Sequence, residues 1–213
     1  MIIYGATDKG LKRDNNQDCF EYHVLNDSTA FAVLCDGMGG ANAGNIASEL
    51  AVETICRYIK SSYHINLSES AIENILRSAV SSANDQVYSQ SLKSPDFKGM
   101  GTTVVVAFIK ESSAYILHIG DSRAYKFLNN TLEQLTVDHS MVQSLLDSGQ
   151  ISAEEAKVHP KKNIITRALG VGEFVASDFT VCDFENDSAI LSPLIIYFII
   201  SLIKIITKIM FKI

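Results

Sequence analysis

Proline and cysteine are scarce in this chain, three and four among 213 residues, and neither is arranged as a framework. The cysteines, at positions 19, 35, 56 and 182, form no C-x-x-C pair, which argues against a zinc site or a disulfide-stapled fold and suits a reducing cytoplasm. No proline-rich linker, internal repeat or low-complexity tract interrupts the first 190 residues. A net charge of −6, a pI near 5.3 and the lack of a basic cluster interleaved with aromatics leave no electrostatic footprint for nucleic acid. Met1, Ile2, Ile3 and Tyr4 carry no basic n-region, so no secretory signal is expected and the opening reads as a short strand. What remains is length enough for a full hydrophobic core.

Among the residues present, 33–40 say most: Val33, Leu34 and Cys35 run into Asp36, then Gly37, Met38, Gly39 and Gly40. An ionised Asp at the end of an apolar strand is costly to bury alone, and a hard divalent ion is its natural partner. The glycines let carbonyls or a phosphate approach closely. Alone, the segment is equally a tight turn with a solvated Asp, because short glycine motifs match by chance. Two further acidic motifs shift that balance. Upstream lie Thr7, Asp8, Gly10, Arg13, Asn16, Gln17 and Asp18; downstream, an alternating strand with Ala114, Ile116 and Ile119 ends in Gly120-Asp121-Ser122-Arg123. The three acids Asp18, Asp36 and Asp121 are expected to converge on divalent ions, with Arg13 as a planar fork for two phosphate oxygens. A water activated between two Mg²⁺ or Mn²⁺ ions needs no protein nucleophile, so Cys19, Cys35 and Ser122 read as packing or hydrogen-bonding groups. His118 and His139 read as structural.

The apolar spacing of Ile46, Leu50, Ile55, Tyr58 and Ile59 predicts a helix. A second is predicted from about Ser70, opened by a capping box to Glu73 and carrying Ile72, Leu76, Ala79, Val80, Ala83 and Val87 on one face. Residues 102–109, 113–119 and 124–128 read as consecutive strands of an antiparallel sheet. Residues 140–148, closed by Gly149, and a capping box from Ser152 to Glu155 predict two short helices. Helices and strands kept apart indicate an α+β fold.

Five motifs occur in order: T-D-x-G-x-x-R-x-x-N-Q-D, D-G-M-G-G, G-M-G-T-T at 99–103, G-D-S-R-A-Y, and L-T-x-D-H-S at 135–140. Together they resemble the bacterial metal-dependent serine/threonine protein phosphatases of type 2C, the PPM family, over residues 1 to about 191. Residues 149–170 resemble that family's flap. The resemblance implies a four-layer αββα sandwich, two antiparallel sheets flanked by helix pairs, and hydrolysis of phosphoserine or phosphothreonine by a water bridging two Mn²⁺ or Mg²⁺ ions. It implies that Asp36 bridges the ions, that Gly37 offers its carbonyl, that Asp18 acts through water, that Asp121 belongs to a third, weaker site and that Arg13 binds phosphate. Met38 stands where eukaryotic members carry histidine, which leaves the general acid unassigned. Phosphorylated Ser/Thr proteins and a cognate kinase are the implied partners of a cytoplasmic monomer.

After residue 191 the resemblance stops. Ser192-Pro193-Leu194 stands where the family has a Ser-Asp-Gly with a direct metal ligand, and a later Asp-Asn has no counterpart. The fold is therefore expected to be a domain at 1–191 missing its C-terminal strands and helix, with an apolar tail at 192–213. Residues 190–203 are uncharged but shorter than the roughly 20 residues of a membrane span. Lys204, Lys208 and Lys212 share one helical face and could snorkel, giving an anchored or interfacial helix that associates residues 190–213 with a membrane. A core element is less expected, because so much apolar surface needs a partner. A shifted reading frame is the favoured origin. The alternative function is then a catalytically impaired phosphatase-like binding module, tethered to the membrane by the tail.

Overall fold

The computed structural model describes residues 2–8, 15–39, 43–184, 188–193 and 196–201. Strands β1 (Ile2–Thr7), β2 (Asp18–Asn26) and β3 (Thr29–Met38) lead into a helix pair, α1 (Ala43–Ser62) and α2 (Glu69–Ser91). Short β4 (Gly101–Thr102) and then β5 (Val104–Lys110), β6 (Ser113–Ile119), β7 (Tyr125–Leu128) and β8 (Thr131–Gln134) follow; β5, β6 and β7 are the three strands the sequence predicts, and β4 and β8 are additional to them. An excursion with α3 (Met141–Asp147) and α4 (Ala153–Val158) precedes β9 (Asp178–Asp183), β10 (Ala189–Pro193) and β11 (Ile196–Ser201). One sheet has the order β2-β3-β5-β6-β9, with β4 paired to β3; the other runs β1-β11-β10-β7-β8.

Strand β3 is apolar without alternation because both its faces are covered. Phe31, Val33 and Cys35 face α1 and α2, in one core with Ala47, Ala51, Ile55, Ile59, Leu76 and Val80. Ala32 and Leu34 face the other sheet, in a second core with Val105, Ala107, Ile116 and Ile190. Burial of each large aliphatic side chain is worth about 1.5–3 kcal/mol. The alanines of α1 let that helix lie close on the sheet. Among the described residues this gives one helix layer and two sheets; the second helix pair of the expected sandwich is not among them.

Two local expectations need correction. The N-cap of α2 is Ser68, whose hydroxyl accepts from the Ala71 amide at 3.2 Å, so the helix opens ahead of Ser70 and no box forms there. Glu73 instead pairs with Arg77 at 2.8 Å. At α4 the predicted box is present, with Ser152 and Glu155 bonded reciprocally. The second correction concerns the tail. Where a helix through 190–203 is one expectation, the described residues 189–193 and 196–201 are strands: β10 and β11 are antiparallel, Ala189 opposite Ser201, and β11 also pairs β1, Ile2 opposite Ser201. β-Branched Ile196, Ile199 and Ile200 suit a strand with partners on both sides. Among the described residues no helix is long and apolar enough to cross a membrane. Lys204, Lys208 and Lys212 lie outside them.

Candidate metal centre

Asp18 opens β2 and Asp36 stands near the end of β3, and the two are direct cross-strand partners. Opposed residues of an antiparallel pair point to the same face, and like charges so placed repel. Asp18 is only 8% exposed, and neither of its carboxylate oxygens has a hydrogen-bond partner among the described residues. A buried carboxylate left so, facing a second carboxylate, is a set of oxygen donors that suits a divalent cation.

The backbone around Asp36 is pinned from two sides. Its N–H donates to Thr103 Oγ1 at 3.1 Å, while its carbonyl accepts from the Thr103 amide at 2.9 Å and the Thr102 hydroxyl at 2.9 Å. These are the threonines of the G-M-G-T-T motif. Gly37 donates its N–H to the Gln17 carbonyl at 2.9 Å, and a Cβ on it would lie 2.0 Å from the Gly44 carbonyl oxygen. The glycine thus lets α1 begin directly against β3.

Asp121 follows β6 on a turn whose Gly120 has φ +105°, and a Cβ there would strike Thr103. Burial raises the Asp121 carboxyl above its usual range against the bond from its own N–H; the charges of Asp138 and Asp36 push the same way. Among the described residues, the carboxylate oxygens of Asp18, Asp36 and Asp121 do not all lie within 4.8 Å of one another. Arg13 lies outside the described residues.

Several contacts were not legible in the motifs. Arg123 grips Asp138 with two bonds, 2.8 and 2.6 Å, tying G-D-S-R to L-T-x-D-H-S. The Ser192 hydroxyl donates to the Arg123 carbonyl at 2.7 Å, bracing the same turn from β10. His139 holds Gly120 at two points: its N–H donates to the Gly120 carbonyl at 2.9 Å, and its Nδ1 accepts the Gly120 N–H at 3.0 Å. Nδ1 therefore carries no proton in the neutral ring, and Nε2–H faces Asp178 at 3.3 Å. Asp178 is also bonded by Arg167 at 2.8 Å. His118 stacks on His139 at 4.6 Å and bonds the Val137 carbonyl. Both histidines thus have structural work, and Arg167 already supplies the cation beside Asp178.

Residues 11–164 match the family model described as Protein phosphatase 2C. The chain belongs to the protein phosphatase 2C family. It is 40% identical over 185 residues to Serine/threonine phosphatase stp of Listeria welshimeri, covering 87% of this chain and 73% of that protein. The crystal structure of Serine/threonine phosphatase Stp1 from Staphylococcus aureus superposes with TM-score 0.81 at 35% identity, covering 89% of this chain and 74% of that one. The catalytic domain of PstP, solved in complex with two manganese ions, gives TM-score 0.73 at 30% identity, covering 90% of this chain and 76% of its own. This phosphatase 2C chain is a bacterial-type enzyme, a protein serine/threonine phosphatase.

Proposed function

We propose that the Asp18–Asp36 pair, with the Gly37 carbonyl, holds two Mn²⁺ or Mg²⁺ ions and that the chain uses them to hydrolyse phosphoserine and phosphothreonine esters of proteins. The observation that carries this reading is the buried Asp18 carboxylate, without a hydrogen-bond partner among the described residues and set directly opposite Asp36. Asp121, whose carboxyl is raised by burial and in smaller part by the charges of Asp138 and Asp36, suits a third, weaker site. When bound, such ions supply Lewis acidity and an activated water. The chain's own part is to orient: the Thr102 and Thr103 bonds fix where Asp36 points, and the His139 clamp and Arg123–Asp138 fork fix the Asp121 turn. Arg13 offers two parallel N–H donors to phosphoryl oxygens and stabilises their charge as the ester bond breaks. The substrate proteins are those of a cognate Ser/Thr kinase, met by a cytoplasmic monomer whose four thiols are all free.

A second reading, a phosphate-binding module with reduced turnover, is favoured by Pro193 standing where the resemblance implies a ligating acid. One experiment separates them. The full chain is assayed on p-nitrophenyl phosphate and a phosphopeptide during Mn²⁺ titration, beside Arg13→Ala. Mn²⁺-dependent turnover that EDTA abolishes supports the enzyme, and phosphopeptide binding without turnover supports the module. Arg13→Ala should weaken ester binding by about 1.5–3 kcal/mol, roughly 10- to 150-fold, with metal content unchanged. Loss of metal on that substitution refutes the role given to Arg13.

A further inference from the structure

On the opposite face of β2 from Asp18, a second set of donors comes together. Glu21 and His23 share the face that α1 covers, and Cys56 projects from α1 onto them. One ligand atom from each of the three, a carboxylate oxygen, an imidazole nitrogen and a sulfur, lies within 4.8 Å of the others. In a tetrahedral zinc site with bonds of about 2.0–2.3 Å the ligand atoms are about 3.3–3.8 Å apart, so small side-chain adjustments suffice.

We propose that Glu21, His23 and Cys56 form a second metal site, specific for a borderline-soft divalent ion such as Zn²⁺, with water as fourth ligand. The donor set is S, N and O, which distinguishes it from the all-oxygen Asp18–Asp36 pair and turns it away from Mg²⁺. The site already attracts a cation. Lys60, one turn beyond Cys56, places its ammonium 3.6 Å from Glu21 and 3.3 Å from His23 Nε2. That nitrogen also contacts Glu21 Oε1, so it faces an acceptor and a donor at once and can satisfy only one. A metal ion binds the nitrogen lone pair and the carboxylate together, while Lys60, 44% exposed on a flexible stem, swings into water. Glu21 and His23 are 41% and 27% exposed and β2 is an edge strand, which gives an ion its entry path. In the metal-free chain burial pushes the Cys56 thiol up to about 12, so metal binding there releases a proton.

The test uses Co²⁺ as the probe on the full chain, because a thiolate ligand gives a charge-transfer band in the near ultraviolet and an all-oxygen site gives none. The expected result is one Co²⁺ with that band, displaced by Zn²⁺ and not by Mg²⁺. Cys56→Ser abolishes the band; His23→Gln, at a partly exposed position, weakens Zn²⁺ binding roughly tenfold or more. Asp36→Asn leaves the band in place. Absence of the band in the wild-type chain, or its persistence in folded Cys56→Ser, overturns the proposal, as does its loss in folded Asp36→Asn.

Discussion

Replacing Asp18 by Asn should make the metal-free chain more stable and the metal-loaded chain less so. Asp18 is buried, its oxygens have no partner among the described residues, and it stands opposite Asp36 in the ladder. Leaving a buried polar group unsatisfied costs about 1–3 kcal/mol and more when it is charged, and opposed like charges add up to about 1 kcal/mol. An amide of the same shape keeps the packing and remains a polar group, so what it removes is the charge-dependent share of that cost together with the repulsion. A gain of about 1–3 kcal/mol is expected, and at about 2–4 °C per kcal/mol for a chain of this size the Tm in EDTA should rise by roughly 2–12 °C. Mn²⁺ reverses the ranking. An ion at a hundred times its Kd stabilises the wild-type chain by about 2.7 kcal/mol, and Asp18→Asn forfeits much of that. The assay is calorimetric melting of both proteins in EDTA and in a Mn²⁺ series. A variant that melts below wild type in EDTA, or that shifts as much as wild type with Mn²⁺, refutes the view that Asp18 is kept for a cation at the expense of the fold.

What the sequence made legible is what lies close together along it. Asp36 after an apolar run, the Ser152–Glu155 box and the helical stripes of α1 and α2 are local patterns, and the structure carries them as read. The choice between Ser68 and Ser70 as cap was not local. Leu67, just before Ser68, and Ile72 are both buried in the helix-side core, and a staple of that register sets Ser68 as the cap. The Ile-rich segment at 196–201 failed for a different reason. A short apolar run is as good a strand as a helix by periodicity, and its partners β1 and β10 are placed by the whole sheet. The cysteine spacing likewise could not report Cys56 beside His23, because those donors come from a strand and a helix. The Asp18–Asp36 opposition and the His139 clamp on Gly120 are also products of register.

Three further outcomes follow from particular contacts. Gly37→Ala places a Cβ 2.0 Å from the Gly44 carbonyl oxygen and 2.7 Å from that of Gln17, both rigid backbone, and should cost about 3 kcal/mol, read as a lowered urea midpoint with unchanged slope. Truncation after Pro193 removes β11, leaves β10 as an open edge and deprives β1 of its neighbour in that sheet, so the soluble fraction should fall, although the apolar composition of the tail alone suggests it would rise; a more soluble truncated chain refutes the placement of β11. The third concerns pH. Burial, with the charges of His118 and Arg167 adding, lowers the His139 pKa from 6.5 despite the bond to Asp178, so the folded chain takes up this proton less readily than the unfolded one. Stability from this group is therefore complete above 6.5 and is lost as pH falls below that value towards the folded pKa. Asp178 adds a second acid loss at lower pH: burial would raise its carboxyl, but the bonds from His139 and Arg167 outweigh burial and hold it below 3.8. Urea melts between about pH 7.5 and 5 should show wild-type stability falling with acid, and His139→Gln, which cannot titrate, should fall less steeply. Parallel curves for the two proteins would mean that the imidazole gains no proton on unfolding and that the Gly120 clamp does not hold it neutral.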